Sequence, residues 1–247
     1  MHLIVSLANA LPPCQPAPQP RNCFSPCRTV SFPIDFLPAL TSVRLMILPI
    51  IKYGHPVLRQ RGKRIEAVTP EIRALADSML ETMRASAGVG LAAQQVGQPL
   101  LLMVLDVRDS ERPSSLQIKD TEADLAAHMP MVLINPVLSE PTGKEVGFEG
   151  CLSFPAISAD IYRAESIRVS AMNLEGKSLT FRCAGLLARV IQHENDHLHG
   201  VLFVDRMDSA TKVSLGGALK RLQKETQADL PPTRKRGGRG LLTSRQT

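Results

Sequence analysis

Gly185-Leu-Leu-Ala-Arg-Val-Ile-Gln-His193-Glu-Asn-Asp-His197-Leu-His-Gly200 is the stretch on which the fold turns. Leu186, Leu187, Val190, Ile191 and Leu198 recur at helical spacing, and Gly200 offers a C-terminal cap, so a helix with one buried stripe is predicted. Before it, residues 167–172 and 178–183 read as strands joined by Asn173-Leu-Glu-Gly-Lys177, which has the length and glycine content of a hairpin connection. Residues 100–107 and 131–138 also read as strands, while 108–129 read as a polar, irregular surface loop or insertion. Farther upstream, Thr69-Pro70 opens an amphipathic helix carrying Ile72, Leu75, Ala76, Met79, Leu80 and Met83 and ending near 87–90. Strands followed by a core helix argue for an α+β fold. The expectation is mostly antiparallel strands packed around a central helix bearing His193-Glu-x-x-His197.

That helix also carries the chemistry. Residues four apart lie one above the other, so both imidazoles can face one metal ion, with Glu194 turned away beside it. Glu194 continues the apolar stripe, and a carboxylate on a buried face is costly unless it is paired or working. Two histidines are half of a tetrahedral site, and a third protein ligand is required. A third histidine of metzincin type fails, because Phe203 stands where it would fall. Glu225 is available for a thermolysin-like metalloprotease, although it lies in a polar, basic tail. Upstream, Glu149-Gly-Cys-Leu-Ser153 offers Cys151, whose thiolate would join two imidazoles readily, with a glycine that permits close backbone approach.

Composition bounds the rest. At 247 residues, 44% hydrophobic and 21% charged, the chain suits one well-buried domain with extensions. Its apolar runs are strand-length, far short of the roughly 20 residues of a spanning helix, so no membrane partner is expected. Five cysteines are an odd number; with Cys14, Cys23 and Cys27 in a Pro-rich leader, a reducing compartment fits better than a disulfide framework. Residues 1–45, with Arg21, Arg28 and Arg44 against the single acid Asp35, read as an N-terminal extension, either a transit peptide or a start misassigned upstream of Met46. The expected catalytic domain is 46–225, and 226–247 is a basic tail. The net charge of +6 resides after residue 207, where nine Lys and Arg face three Asp and Glu. Such a tail suits weak attraction to an RNA-rich surface, and a ribosome- or RNA-binding module with a degenerate metal site is the alternative reading from a different class, but no aromatic-interleaved motif supports sequence-specific nucleic-acid recognition.

Three short motifs, in order, resemble those of the peptide deformylase family: Gly88-Val-Gly-Leu-Ala-Ala-Gln-Gln95, Glu149-Gly-Cys-Leu-Ser153 and His193-Glu-Asn-Asp-His197. The resemblance runs from about Met46 to Met207. It implies a metal-dependent hydrolase that removes the formyl group from the N-terminal formyl-methionine of nascent polypeptides and releases formate. By the same resemblance the metal ligands fall on Cys151, His193 and His197, and the general base and acid on Glu194. Oxyanion donors fall on the Gln95 amide and the Leu152 backbone N–H. The backbone beside Gly90 would bind peptide in extended form, and Val89, Leu186 and Val190 would line the methionine pocket. Glu149 would pair with Arg163 to brace the cysteine loop, and Asp196 would orient a ligand imidazole. Fe(II) is the implied ion, with Zn, Ni or Co as other occupants. Apart from the resemblance, cysteine usage favours a cytoplasmic location, or an organelle interior if 1–45 is a transit peptide, and the basic tail allows weak ribosome association. Asn195, Phe154 and Ala156 depart from the family's usual residues.

Overall fold

A computed structural model describes residues 46–231 of the chain; the leader 1–45 and the end of the basic tail lie outside the described residues. The helices are α1 (Pro70–Ala85), α2 (Leu186–Leu198), the single turn α3 (Phe203–Arg206) and α4 (Ser209–Ala228). The strands are β1 (Gly90–Ala92), β2 (Leu102–Leu105), β3 (Ser114–Ile118), β4 (Thr121–Glu122), β5 (Met131–Thr142), β6 (Glu145–Cys151), β7 (Phe154–Arg163), β8 (Ser166–Met172) and β9 (Ser178–Gly185). Seven of them form one sheet in the order β1-β2-β5-β8-β9-β3-β4, and β6 and β7 form a separate hairpin. All the strand pairings are antiparallel, giving the α+β fold.

Helix α1 begins where the sequence places it, with Thr69 accepting the Ile72 N–H and Pro70 in the first turn. Its apolar face, Met79, Leu80 and Met83, packs with Leu102 and Val104 of β2. The expected hairpin is present as β8–β9, with Met172 opposite Ser178 across the turn. Helix α2 buries Leu187, Val190 and Ile191 against Met103 and Leu105 of β2 and Phe181 of β9. It ends before Gly200, whose φ of 72° and tight approach to the Arg59 carbonyl leave no room for a side chain.

Two expectations need correction. The segment 108–129 is not irregular throughout: β3 joins the main sheet, pairing Leu116 with Cys183 of β9. Among its mostly polar neighbours only Leu116 is fully buried, so the period-two signal was too short to register. The polar, basic stretch after residue 207, for which no element was expected, likewise begins as a helix, α4, which Asp208 caps through the Thr211 N–H at 2.8 Å. Leu215, Ala218, Leu219 and Leu222 lay its apolar side on a cluster with Phe154, Ile161 and Phe203, and the helix runs past residue 225 to Ala228. Gly216 and Gly217, poor helix formers, disguised it. The hairpin β6–β7 had no prediction beyond its cysteine motif. Phe154 fills the core there, stacked on Tyr53 and edge-on to Phe203. Among the described residues, no helix is long and apolar enough to cross a membrane.

Candidate metal and catalytic site

Three elements meet at the site. Helix α2 contributes His193, Glu194 and His197; the end of β6 contributes Cys151; and the turn after β1 contributes Gln95. One possible ligand atom each of Cys151, His193 and His197 lies within 4.8 Å of the other two, the sole such cluster of three found among the described residues. Cys151 Sγ is 3.3 Å from His197 Nε2. Glu225 lies on α4, outside this cluster, so the thermolysin-like ligand set gains no support.

The donor set fits a divalent transition ion. Burial holds His197 well below the usual imidazole range, leaving a neutral ring with a lone pair to give. Burial opposes charge on His193 as well, but its neighbours Cys151 and Glu149 draw it well above that range. Thiolate and imidazole together suit such an ion by softness.

Glu194 is buried, and its Oε2 has no hydrogen-bond partner. Burial pushes its carboxyl up to about 7, where a group can both accept and return a proton near neutrality. It sits under β1: a Cβ added to Gly90 would lie 2.6 Å from Glu194 Oε1 and 2.7 Å from Val190 Cγ1. Only glycine lets that strand approach so closely. Val89, Leu186 and Val190 belong to one apolar cluster beside it.

Gln95 is fixed at one end of its amide. Its Oε1 accepts the Ala92 N–H at 2.7 Å, while Nε2 makes long contacts, 3.5 Å each, to Cys151 Sγ and Ser153 Oγ. A donor so weakly engaged is available to another acceptor. Leu152 is positioned through its carbonyl, which accepts from Lys52 Nζ at 2.8 Å, and the Tyr53 N–H donates to Ser153 O at 2.9 Å. The segment before α1 thus ties down the cysteine loop from behind.

Glu149 joins hairpin to helix. Arg163 donates to it through Nε and Nη2 at 2.8 and 2.9 Å, Arg189 through Nη1 at 2.9 Å, and His193 Nδ1 lies 2.9 Å from its Oε2. Although burial opposes ionisation, the bonds from Arg163 and His193 hold this carboxyl well below the usual carboxylate range. Asp196 does not contact an imidazole as the sequence reading expected. Arg163 and Arg206 take its oxygens instead, and the carboxylate on the His193 ring is Glu149.

Sequence reasoning missed Arg189 and Lys52. Arg189 is buried and also donates to the Ile161 and Glu145 carbonyls at 2.9 and 3.1 Å, stitching both strands of the hairpin to α2. The available signal was a lone charge in the apolar run 186–191, one turn before His193. Replacing Glu149 by Ala is expected to cost about 3–5 kcal/mol, the scale for leaving buried charges unpaired, and to weaken metal binding roughly 10- to 100-fold through the freed His193 ring. Thermal unfolding and metal titration check this; a protein unchanged in both contradicts the brace.

The comparisons with known proteins agree on one family. The family model described as polypeptide deformylase matches residues 47–213. A peptide deformylase of Opitutus terrae is 43% identical over 185 residues, covering 74% of this chain and 96% of that protein. Among solved structures, the peptide deformylase of Thermus thermophilus superposes with a TM-score of 0.62 at 37% identity, covering 73% of this chain and 99% of that one. A peptide deformylase from Synechococcus elongatus, solved in complex with actinonin, gives 0.59 at 38% identity, covering 69% and 87%.

Proposed function

This chain belongs to the polypeptide deformylase family, and from that premise we propose how its residues divide the work. It is a hydrolase that removes the formyl group from N-terminal formyl-methionine of new polypeptides, in a family that depends on a metal. The observation that carries the assignment of roles is the Cys151, His193 and His197 cluster with buried Glu194, whose Oε2 has no hydrogen-bond partner, on the same helix.

Cys151, His193 and His197 would hold the ion. When bound, it supplies a Lewis acid that makes hydroxide available from water near neutral pH. Glu194 takes the proton as water adds to the formyl carbon and delivers it to the departing amine, so that formate and a free methionyl terminus leave. Gln95 Nε2 and the Leu152 N–H donate to the formyl oxygen as negative charge builds there; losing one such donor costs about 10²–10³ in turnover. Val89, Leu186 and Val190 enclose the methionine side chain, and the backbone at Gly90 aligns the peptide in extended form. Glu149, Arg163 and Arg189 keep the cysteine hairpin and the histidine helix in register. Fe(II) is the working ion, with Zn, Ni and Co accepted by the same donors.

The site residues all fall between 52 and 197, and nothing before Met46 carries a motif or a periodic core pattern. Residues 1–45 are therefore assigned no part in the catalytic domain. The enzyme works in the cytoplasm, or inside an organelle if 1–45 targets it there. A protein starting at Met46 is expected to deformylate as well as the full chain; loss of activity would make 1–45 part of the domain. The basic segment after Asp229 acts as a weak ribosome tether, so its removal should spare turnover of short peptides and weaken salt-sensitive ribosome binding. Ribosome binding that survives the removal contradicts the tether. Formate release from a formyl-methionyl peptide tests the function as a whole, since a protease would cut an internal bond and a binding module would do neither.

A further inference from the structure

We propose that the outer face of the β6–β7 hairpin is a platform for residue 2 and later residues of the substrate chain, favouring apolar and aromatic side chains there. This rests on the deformylase reading and on peptide lying extended beside Gly90. The hairpin pairs Val146 with Tyr162 and Phe148 with Asp160, and alternate residues of a strand face opposite sides. Glu149, Ile161 and Arg163 point inward and are buried, and Arg189 of α2 reaches the Gly147 and Ile161 carbonyls from that side. Val146, Phe148 and Tyr162 point outward and are 46%, 43% and 56% exposed. A Cβ built on Gly150 would meet nothing within 4 Å, so this face runs open from Phe148 up to Cys151.

Single exposed apolar residues are ordinary, whereas a cluster rimmed by polar groups marks a contact surface. Here two aromatic rings and a valine adjoin, with Lys144 Nζ 4.4 Å from the Tyr162 ring centroid and Asp160 opposite Phe148. The occupant follows from continuity with the reaction centre. The formyl end must lie at Cys151, where β6 ends, and among the described residues β6 and β1 are each paired along one edge alone, by β7 and β2. The methionine side chain turns toward α2, which carries Leu186 and Val190. In an extended chain the next side chain turns the opposite way, the way Phe148 points.

The test compares kcat and KM for formyl-Met-Leu-Phe and formyl-Met-Asp-Glu peptides in the full chain and in Phe148→Ser, Tyr162→Ser and the remote surface variant Val213→Ser. The unaltered protein should favour the apolar peptide. Phe148→Ser should lower that preference about tenfold, through KM more than kcat, the scale of partly burying one ring; Tyr162→Ser should lower it less, and Val213→Ser should leave it. A preference unmoved by both aromatic variants overturns the platform. So does a dimer that dissociates in Phe148→Ser while the preference stays, which would assign the face to a second copy of the chain. Failure of the unaltered protein to release formate from either peptide would instead defeat the deformylase reading.

Discussion

Glu194→Gln is expected to retain its metal and to lose about 10²–10⁴-fold in turnover, the range for removing a positioned proton carrier. The amide matches the carboxylate in size, so it should still fit beneath β1, where the Gly90 backbone crowds the Glu194 side chain. The ligand side chains of Cys151, His193 and His197 are untouched. What is lost is a group that burial holds near 7 and that can pass a proton in both directions. KM should change little, because the proton carrier acts in the transition state rather than in ground-state binding. Metal analysis alongside steady-state kinetics separates the two effects. Turnover near that of the unaltered protein would assign proton transfer elsewhere.

Cys151→Ala should lose tight metal binding altogether, a larger effect than the roughly 10- to 100-fold expected when only a hydrogen-bonding partner of a ligand is removed. A coordinating thiol is deprotonated outright and adds electron density to the site. That same density exposes it to oxidation. With Fe(II) loaded, activity should decay in air and persist anaerobically, while Zn- or Ni-loaded protein should endure. Cys183 is the control within the molecule: it is buried on β9, and burial pushes its thiol up to about 12. Cys183→Ala should cost only a modest core truncation. If Cys151→Ala kept its metal and activity while Glu225→Ala lost both, a thermolysin-like ligand set would replace this one.

Much of the candidate site was legible because its residues sit in short, chemically unusual strings. A buried acid between two histidines on an apolar helix stripe has few uses. The reading of Gly150 as a point of close backbone approach was wrong, since a Cβ there would meet nothing within 4 Å; the close approach is at Gly90. The helices α1 and α2 and the β8–β9 hairpin announced themselves through periodicity and caps. What stayed hidden depends on distant partners. Asp196 was assigned to an imidazole from its place beside His197, but Arg163 from β7 and Arg206 beyond α2 claim it. Arg189 drew no prediction, because its partners, Glu149 and three backbone carbonyls, come from the hairpin. Helix α4 reads as a polar tail because none of its residues is fully buried, its packing being settled by Phe154 and Phe203 rather than by its own pattern. The strand β3 is too short and too polar to be seen before β9 pairs with it.

The central claim is that Cys151, His193 and His197 hold one ion with which Glu194 hydrolyses a formyl amide. It is tested most directly by measuring formate release from a formyl-methionyl peptide and metal content on the same anaerobically purified sample. The account predicts stoichiometric formate and free peptide amine, one divalent ion per chain, and loss of both activity and ion in His193→Ala and His197→Ala. A metal-loaded protein that releases no formate, or full metal occupancy in either histidine variant, would contradict it.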